Sequence, residues 1–280
     1  MDKRQVEEFG NPSALAENRL FYKFADSGNS SYYVRSVLFG LEPADSLPIA
    51  LTPAETRLFR RVVRHQQARL NSVGRFIDAQ DRPGLWLDMG CGAGQFIHRM
   101  LQRPGNRAVG TELDHKNLAA TYKLLEQAKT PPRYSLVCQP PDALPFADES
   151  FDYVFSADVM EHVGYENQRA VLREIRRVLA PGGTMILHTP NANRVRFTTV
   201  LKKMVYLLKG YNPRTIRHSF PHGHVSLVSG GRLSSLVRES GFTSTLRHLG
   251  ESPAERFFSR APLLREAWAR SFILVARKSN

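Results

Sequence analysis

An apolar run ending in an acid, followed by alternating glycines, constrains this chain most: Trp86-Leu87-Asp88-Met89-Gly90-Cys91-Gly92-Ala93-Gly94-Gln95-Phe96. It reads as a buried strand, a tight turn and a helix start. Alternate glycines let the backbone take positive φ and let a ligand lie against it with no Cβ between. Beyond this point strands and helices alternate. Strands are predicted near 85–89, 107–112, 134–138, 151–156 and 183–189, and helices near 94–102, 115–128 and 166–179. Alternation of this kind argues for a doubly wound, mostly parallel sheet with helices on both faces. Such sheets bind ligands beyond the carboxyl ends of their strands, where strand order reverses. Asp88, Glu112, Asp142 and Asp158 fall at or just past predicted strand ends, so they are expected to share one rim.

The turn does not carry the glycine spacing used for dinucleotides. Its first, third and sixth positions hold Gly90, Gly92 and Gln95, with the last glycine one step early at Gly94. It has no Lys-Ser or Lys-Thr pair for a nucleoside triphosphate. Asp88 would repel a pyrophosphate and attract a cation. Glu112 ends the next strand, about 20 residues on, where an acid bonds ribose hydroxyls. A ligand bearing an ammonium, a ribose and an adenine fits this pair of carboxylates.

The length of 280 residues allows one large domain with extensions. No apolar stretch follows Met1-Asp2-Lys3-Arg4-Gln5, so a secretory leader is not expected. No run approaches the ~18 apolar residues of a membrane span. Cys91 and Cys138 are too few for a disulfide framework and fit a reducing, cytoplasmic setting. Cys91 sits in the glycine turn, where a small residue is needed. The net charge of +13 permits an anionic partner such as RNA or an acidic lipid surface, and equally serves plain solubility.

Residues 1–51 show no periodicity, but Tyr22, Tyr32, Tyr33 and Phe39 give them apolar weight, and a partly helical cap over the ligand site is expected. The remainder, 52–280, is expected to form the ligand-binding domain with an insertion at 191–224. Thr52-Pro53-Ala54-Glu55 announces a helix with a capping box. The insertion is basic, with Arg194, Arg196, Lys202, Lys203, Lys209, Arg214 and Arg217. Its middle reads as a helix with Phe197, Val200, Leu201, Met204 and Leu208 on one side and a stop at Gly210. Two readings stay open: a helix lying on a membrane surface or partner through 194–217, or a lid packing its apolar side on the core. A helix ending at Gly241, a strand from Phe242, a short helix at Ser252-Pro253-Ala254-Glu255 and a strand over Phe272–Ala276 complete the chain.

The glycine turn and Glu112, together with four further segments, make this chain resemble the class I S-adenosylmethionine-dependent methyltransferases. Pro141-Asp142-Ala143-Leu144-Pro145-Phe146 resembles the acidic loop that holds the adenine. Ser150–Ser156 resembles the fourth strand, followed by Asp158-Val159-Met160-Glu161-His162-Val163, and Leu179–Leu187 resembles the fifth strand and its turn. The resemblance covers about 84–190 well and 224–277 loosely. It implies a seven-stranded sheet whose last strand runs antiparallel beside the fifth, with S-adenosyl-L-methionine as methyl donor. Asp88, Gly90, Cys91, Gly92 and Gly94 would then line the methionine part, Glu112 the ribose, Leu113 with Asp142 and Ala143 the adenine, and Asp158 the sulfur end.

Methyl transfer from a sulfonium is largely a matter of holding nucleophile, carbon and sulfur in line. An oxygen nucleophile also benefits from a base, for which His162 is the candidate; the alternative is that it caps its loop. Asp158, Glu161 and His162 also resemble the acid-x-x-Glu-His run that holds a divalent cation in quinone O-methyltransferases and in small-RNA 3′-end methyltransferases. His222 or His224 would be the distant ligand, but Asp158 stands where glutamate is usual. No metal is assigned on this pattern. No Asn/Asp-Pro-Pro-aromatic run follows the fourth strand and no Pro-Cys nucleophile is present, which sets aside amino-group methylation of adenine or glutamine and attack on a pyrimidine ring. Arg173, Glu174, Arg176 and Arg177 read as a solvated helix face. The expected activity is O-methylation of a small or lipid-linked acceptor by a cytoplasmic protein with peripheral membrane contact. An RNA methyltransferase and a non-catalytic donor-binding module are the alternatives.

Overall fold

The structure is a computed structural model that describes residues 52–212, 225–250, 253–258, 261 and 264–279. The expected 1–51 cap lies outside these residues, as do His222 and His224. The described residues divide into two compact units, 52–68 with 195–212, and 69–194 with 225–279.

Helix α1, Pro53–Asp78, opens on the capping box that its sequence announces. The Thr52 amide donates to Glu55 Oε2 at 2.8 Å and the Glu55 amide to Thr52 Oγ1 at 3.3 Å, so two amides that the helix itself leaves open are satisfied. The chain then alternates β1 (Leu85–Met89), α2 (Gln95–Leu101), β2 (Arg107–Glu112), α3 (His115–Gln127), β3 (Tyr134–Cys138) and β4 (Phe151–Ala157). A 3₁₀ turn at Met160–His162 precedes α4 (Gln168–Val178) and β5 (Leu179–Pro190). There follow α5 (Ala192–Leu208), α6 (Gly230–Glu239), β6 (Phe242–Leu249), α7 (Pro253–Phe258), α8 (Arg265–Trp268) and β7 (Ser271–Lys278).

The sheet has seven strands in the order β3-β2-β1-β4-β5-β7-β6. β7 is antiparallel to both neighbours, and the other pairings are parallel. Strand order reverses between β1 and β4, so the turn after β1 opens onto the switch point. β5 begins earlier than its apolar run suggests. Leu179 pairs with Phe151, and pairing then skips to Thr184 opposite Tyr153. The predicted Pro181-Gly182-Gly183 turn survives as a bulge, with Gly182 at φ 70°.

Apolar alternation explains the core. Leu87, Met89, Val154, Leu187 and Leu274 point from the strands into one cluster with Val171, Leu172, Ile175 and Val178 of α4 and Leu233, Leu236 and Val237 of α6, all buried. Helical spacing places each helix's contributors on one stripe. Elsewhere Phe96 of α2 packs its ring 4.5 Å from that of Phe155.

Candidate active site

Each glycine of the turn answers a different constraint. Gly90 has φ 74°, and a Cβ there would collide with the Val159 side chain beyond β4. A Cβ on Gly94 would stand 2.9 Å from Thr121 and 3.2 Å from Leu125 of α3. Only Gly92, at φ 49°, faces open space, with nothing within 4 Å of the position a Cβ would take. The Gly92 peptide is gripped from both sides: Glu112 Oε2 accepts from its amide at 3.0 Å, and the Thr121 hydroxyl donates to its carbonyl. Cys91 is buried, its amide bonded to the Thr111 carbonyl at 2.8 Å, and it fills space beside Gly110.

Beneath the turn, Asp88 is 1 % exposed, and its Oδ2 is buried with no hydrogen-bond partner among the described residues. Burial, with the Glu112 charge adding to it, pushes its carboxyl up to about 8. A buried carboxylate of this kind favours a cationic ligand group over an anionic one. The next strand end is organised too. Glu112 Oε1 accepts from the Leu113 amide at 3.0 Å, and Cys138 Sγ donates to the Leu113 carbonyl at 3.3 Å. The Leu113 side chain is left 69 % exposed. Asp142 and Ala143 lie on the surface past β3, with the Gln139 side-chain amide donating to the Ala143 carbonyl.

That loop is clamped by residues that the sequence pattern assigns to a solvated face. Arg177 donates to the carbonyls of Leu144 (2.9 Å) and Phe146 (2.7 Å) and pairs with Glu174 and Asp148. Glu174 also accepts from the Leu144 amide at 3.0 Å. Hydrogen bonding to Arg177 holds the Glu174 carboxyl below its usual range. Arg176 donates to the Gly241 carbonyl at 2.8 Å. The solvated-face reading is therefore wrong for Glu174, Arg176 and Arg177. Helical periodicity shows which residues avoid the core, not which loop folds over them.

The β4–β5 side of the rim contains residues that the sequence did not flag. Asp158 sits at φ 58°, a conformation that aspartate tolerates better than most residues. Its amide donates to the His188 carbonyl at 3.0 Å, its Oδ1 lies 2.8 Å from His188 Nδ1, and its Oδ2 is paired with Arg69 of α1. His188 is only 4 % exposed. In the following 3₁₀ turn Glu161 is fully buried and accepts from Thr189 Oγ1 at 3.0 Å, whereas His162 is on the exposed side. Burial pushes the Glu161 carboxyl up to about 7, against hydrogen bonds and the Arg69 charge that lower it. His188-Thr189 is a polar end on the apolar run Met185-Ile186-Leu187, a signal that sequence could have given. Arg69 stands among several arginines of α1, and nothing local marks it.

The described residues hold no group of three or more His, Cys, Asp or Glu side chains arranged for a metal. Both Asp158 oxygens face Arg69 and His188, while Glu161 and His162 of the same run differ in exposure.

The basic insertion helix is α5. It ends on a glycine cap: the Tyr211 amide donates to the Tyr206 carbonyl at 2.9 Å, and Gly210 takes φ 75°. Phe197, Val200, Leu201, Met204 and Leu208 are 39–85 % exposed, so its apolar side is not packed into a core. No described helix is long and apolar enough to cross a membrane.

Residues 87–187 match a family described as methyltransferase domain. The ubiquinone biosynthesis O-methyltransferase of Cereibacter sphaeroides (strain ATCC 17029) is 28% identical over 155 residues, 55% of this chain and 58% of that protein. Its counterpart from Dinoroseobacter shibae is 32% identical over the same shares. The chain thus spans under two thirds of the length of these relatives. The structure of a protein from Bordetella parapertussis described as a possible exported protein superposes with a TM-score of 0.62 at 16% identity, covering 94% of this chain and 87% of that one. The Burkholderia thailandensis 1,6-didemethyltoxoflavin-N1-methyltransferase, with bound 1,6-didemethyltoxoflavin and S-adenosylhomocysteine, gives 0.52 at 17% identity over 84% and 93%. At these identities the structural likenesses speak to the fold.

Proposed function

We propose that this chain, which belongs to the class I S-adenosylmethionine-dependent methyltransferases, transfers the donor's methyl group to an oxygen of a small or lipid-linked acceptor. The observation that carries the donor assignment is the partnerless, buried Asp88 oxygen on β1, in the strand that leads into a turn whose Gly92 faces open space. An ammonium at Asp88 and a ribose at Glu112 would match the two carboxylates in charge and reach. Gly90, Cys91, Gly92 and Gly94 shape the wall for the methionine part. The exposed Leu113 flanks the adenine, and Asp142 with Ala143 meets its edge. The oxygen acceptor is supported by the ubiquinone O-methyltransferase relatives.

The donor supplies an electrophilic methyl carbon on a sulfonium. The chain's part is to orient it, to exclude water and to take a proton. His162, exposed on the turn after β4, is the base that receives the acceptor hydroxyl's proton as the new C–O bond forms and the C–S bond breaks. Asp158, tied to Arg69 and His188, acts as a positioning residue near the sulfur end. The basic helix α5 adds peripheral contact with an anionic membrane surface, supported by its exposed apolar residues beside Lys202, Lys203 and Lys209.

Incubating the protein and labelled donor with fractionated cell extract tests this reading. Label is expected in lipid or small-metabolite fractions, and His162→Ala should abolish turnover while donor binding persists. Label in RNA, or turnover unchanged by the substitution, would refute the acceptor class or the base respectively.

A further inference from the structure

The outer strands of the sheet carry a second concavity, remote from the glycine turn. β6 lies four positions along the sheet from β1, about 19 Å at ~4.8 Å per strand. A cavity of about 800 Å³ opens between one face of the β6–β7 pair and the end of α1. On β6, Thr243, Thr245 and Arg247 alternate onto this face, and the ladder sets Arg277 opposite Thr243. Arg75 and Phe76 close it from α1, the Arg75 guanidinium lying 5.0 Å from the Phe76 ring centre.

Among the described residues, no acidic residue lines this cavity. Elsewhere arginines meet carboxylates: Arg99 with Asp78, Arg169 with Glu239, Arg177 with Glu174, Arg194 with Glu255. Arg75, Arg247 and Arg277 take part in no ion pair among the described residues. Three uncompensated guanidiniums around one concavity repel each other, and a bound anion relieves that repulsion. Guanidinium forks and neighbouring hydroxyls suit phosphate oxygens. The rows of Arg277 and Arg247 are four residues apart along β6, about 13 Å at ~3.3 Å per residue. One phosphate cannot reach both, and a cavity of this size suits a drug-sized ligand.

We propose that this cavity binds a small ligand of nucleotide size carrying two or more phosphate groups, at a site separate from the methyl-donor rim. The inference does not rest on the donor reading.

Calorimetric titration tests it, with ATP, pyrophosphate and a ten-residue oligouridylate as probes. Excess S-adenosylhomocysteine is present throughout, so that an adenine cannot enter at Glu112. ATP is expected to bind, pyrophosphate more weakly, and the double variant Arg247→Gln/Arg277→Gln should lose about tenfold or more in ATP affinity. S-adenosylhomocysteine affinity and circular dichroism of that variant should match wild type. Absence of ATP binding, or ATP binding that the double variant leaves unchanged, overturns the proposal. Oligouridylate binding about tenfold tighter than ATP and steeply salt-dependent also overturns it, in favour of a nucleic-acid surface.

Discussion

The two halves of the carboxyl rim are built differently. On the β1–β2 side, Glu112 is held by main-chain amides of Gly92 and Leu113, and Asp88 lies one strand away in direct register with Gly110. On the β4–β5 side, Asp158 is held by a side chain from elsewhere in the chain, Arg69 of α1, and its amide by the His188 carbonyl of β5, whose ring lies 2.8 Å from its Oδ1. The first half is a backbone cradle whose carboxylates keep capacity for a ligand. The second is a cross-linked polar cluster that sets where the loop after β4 sits. Under the proposed function, a rim divided in this way would separate holding a donor from fixing the groups around the reacting end.

The largest expected effect that sharpens this contrast is at Glu112. Glu112→Ala should weaken S-adenosylmethionine binding by about 10- to 100-fold, since it removes a charged acceptor and releases the Gly92 amide. Calorimetry checks this, and wild-type affinity would remove Glu112 from the donor site.

Arg69→Met should act on the other half. It leaves Asp158 without its cation and is expected to cost about 1–3 kcal/mol of stability, read from urea unfolding. Turnover should fall more than donor affinity. An equal fall in both would merge the two halves into one.

Arg177→Ala should have a smaller effect. Loss of its bonds to the Leu144 and Phe146 carbonyls loosens the loop next to Asp142 and Ala143, and donor affinity should drop by roughly two- to fivefold, about the worth of one neutral hydrogen bond.

A further effect is graded with pH. Asp88 and Glu161 have carboxyls raised to about 8 and about 7, so each binds its proton more tightly folded than unfolded. Their contribution to folding is full below the unfolded values near 4 and is lost as pH rises through about 7 and then about 8. The urea midpoint of the ligand-free chain should therefore decline between pH 5 and pH 8.5, less so in Asp88→Asn. Donor affinity should run the other way, rising as Asp88 ionises.

The parallel core was legible because its signals are local. Strand ends, the glycine turn and the Thr52–Glu55 box each lie within a few residues of what they determine. Asp88 and Glu112 were legible because strand parity and register carry them to one rim. Arg69 was not, since its partner Asp158 is 89 residues away and nothing in α1 distinguishes it from neighbouring arginines. The α4 residues Glu174, Arg176 and Arg177 were misread because a polar helix face looks alike whether it meets water or loop carbonyls. The exposed apolar side of α5 was left open between two readings, because amphipathic spacing is the same for a core, a partner and a membrane.

The central claim is that the turn after β1 and the acid ending β2 hold a cationic, adenosine-bearing methyl donor. Titration of S-adenosylmethionine into wild type, Asp88→Asn and Glu112→Ala at about pH 8.5 tests it most directly, Asp88 being largely ionised there. Saturable binding that both substitutions weaken by about tenfold or more is the predicted result. No saturable binding to wild type, or affinity undiminished in both variants, would contradict it.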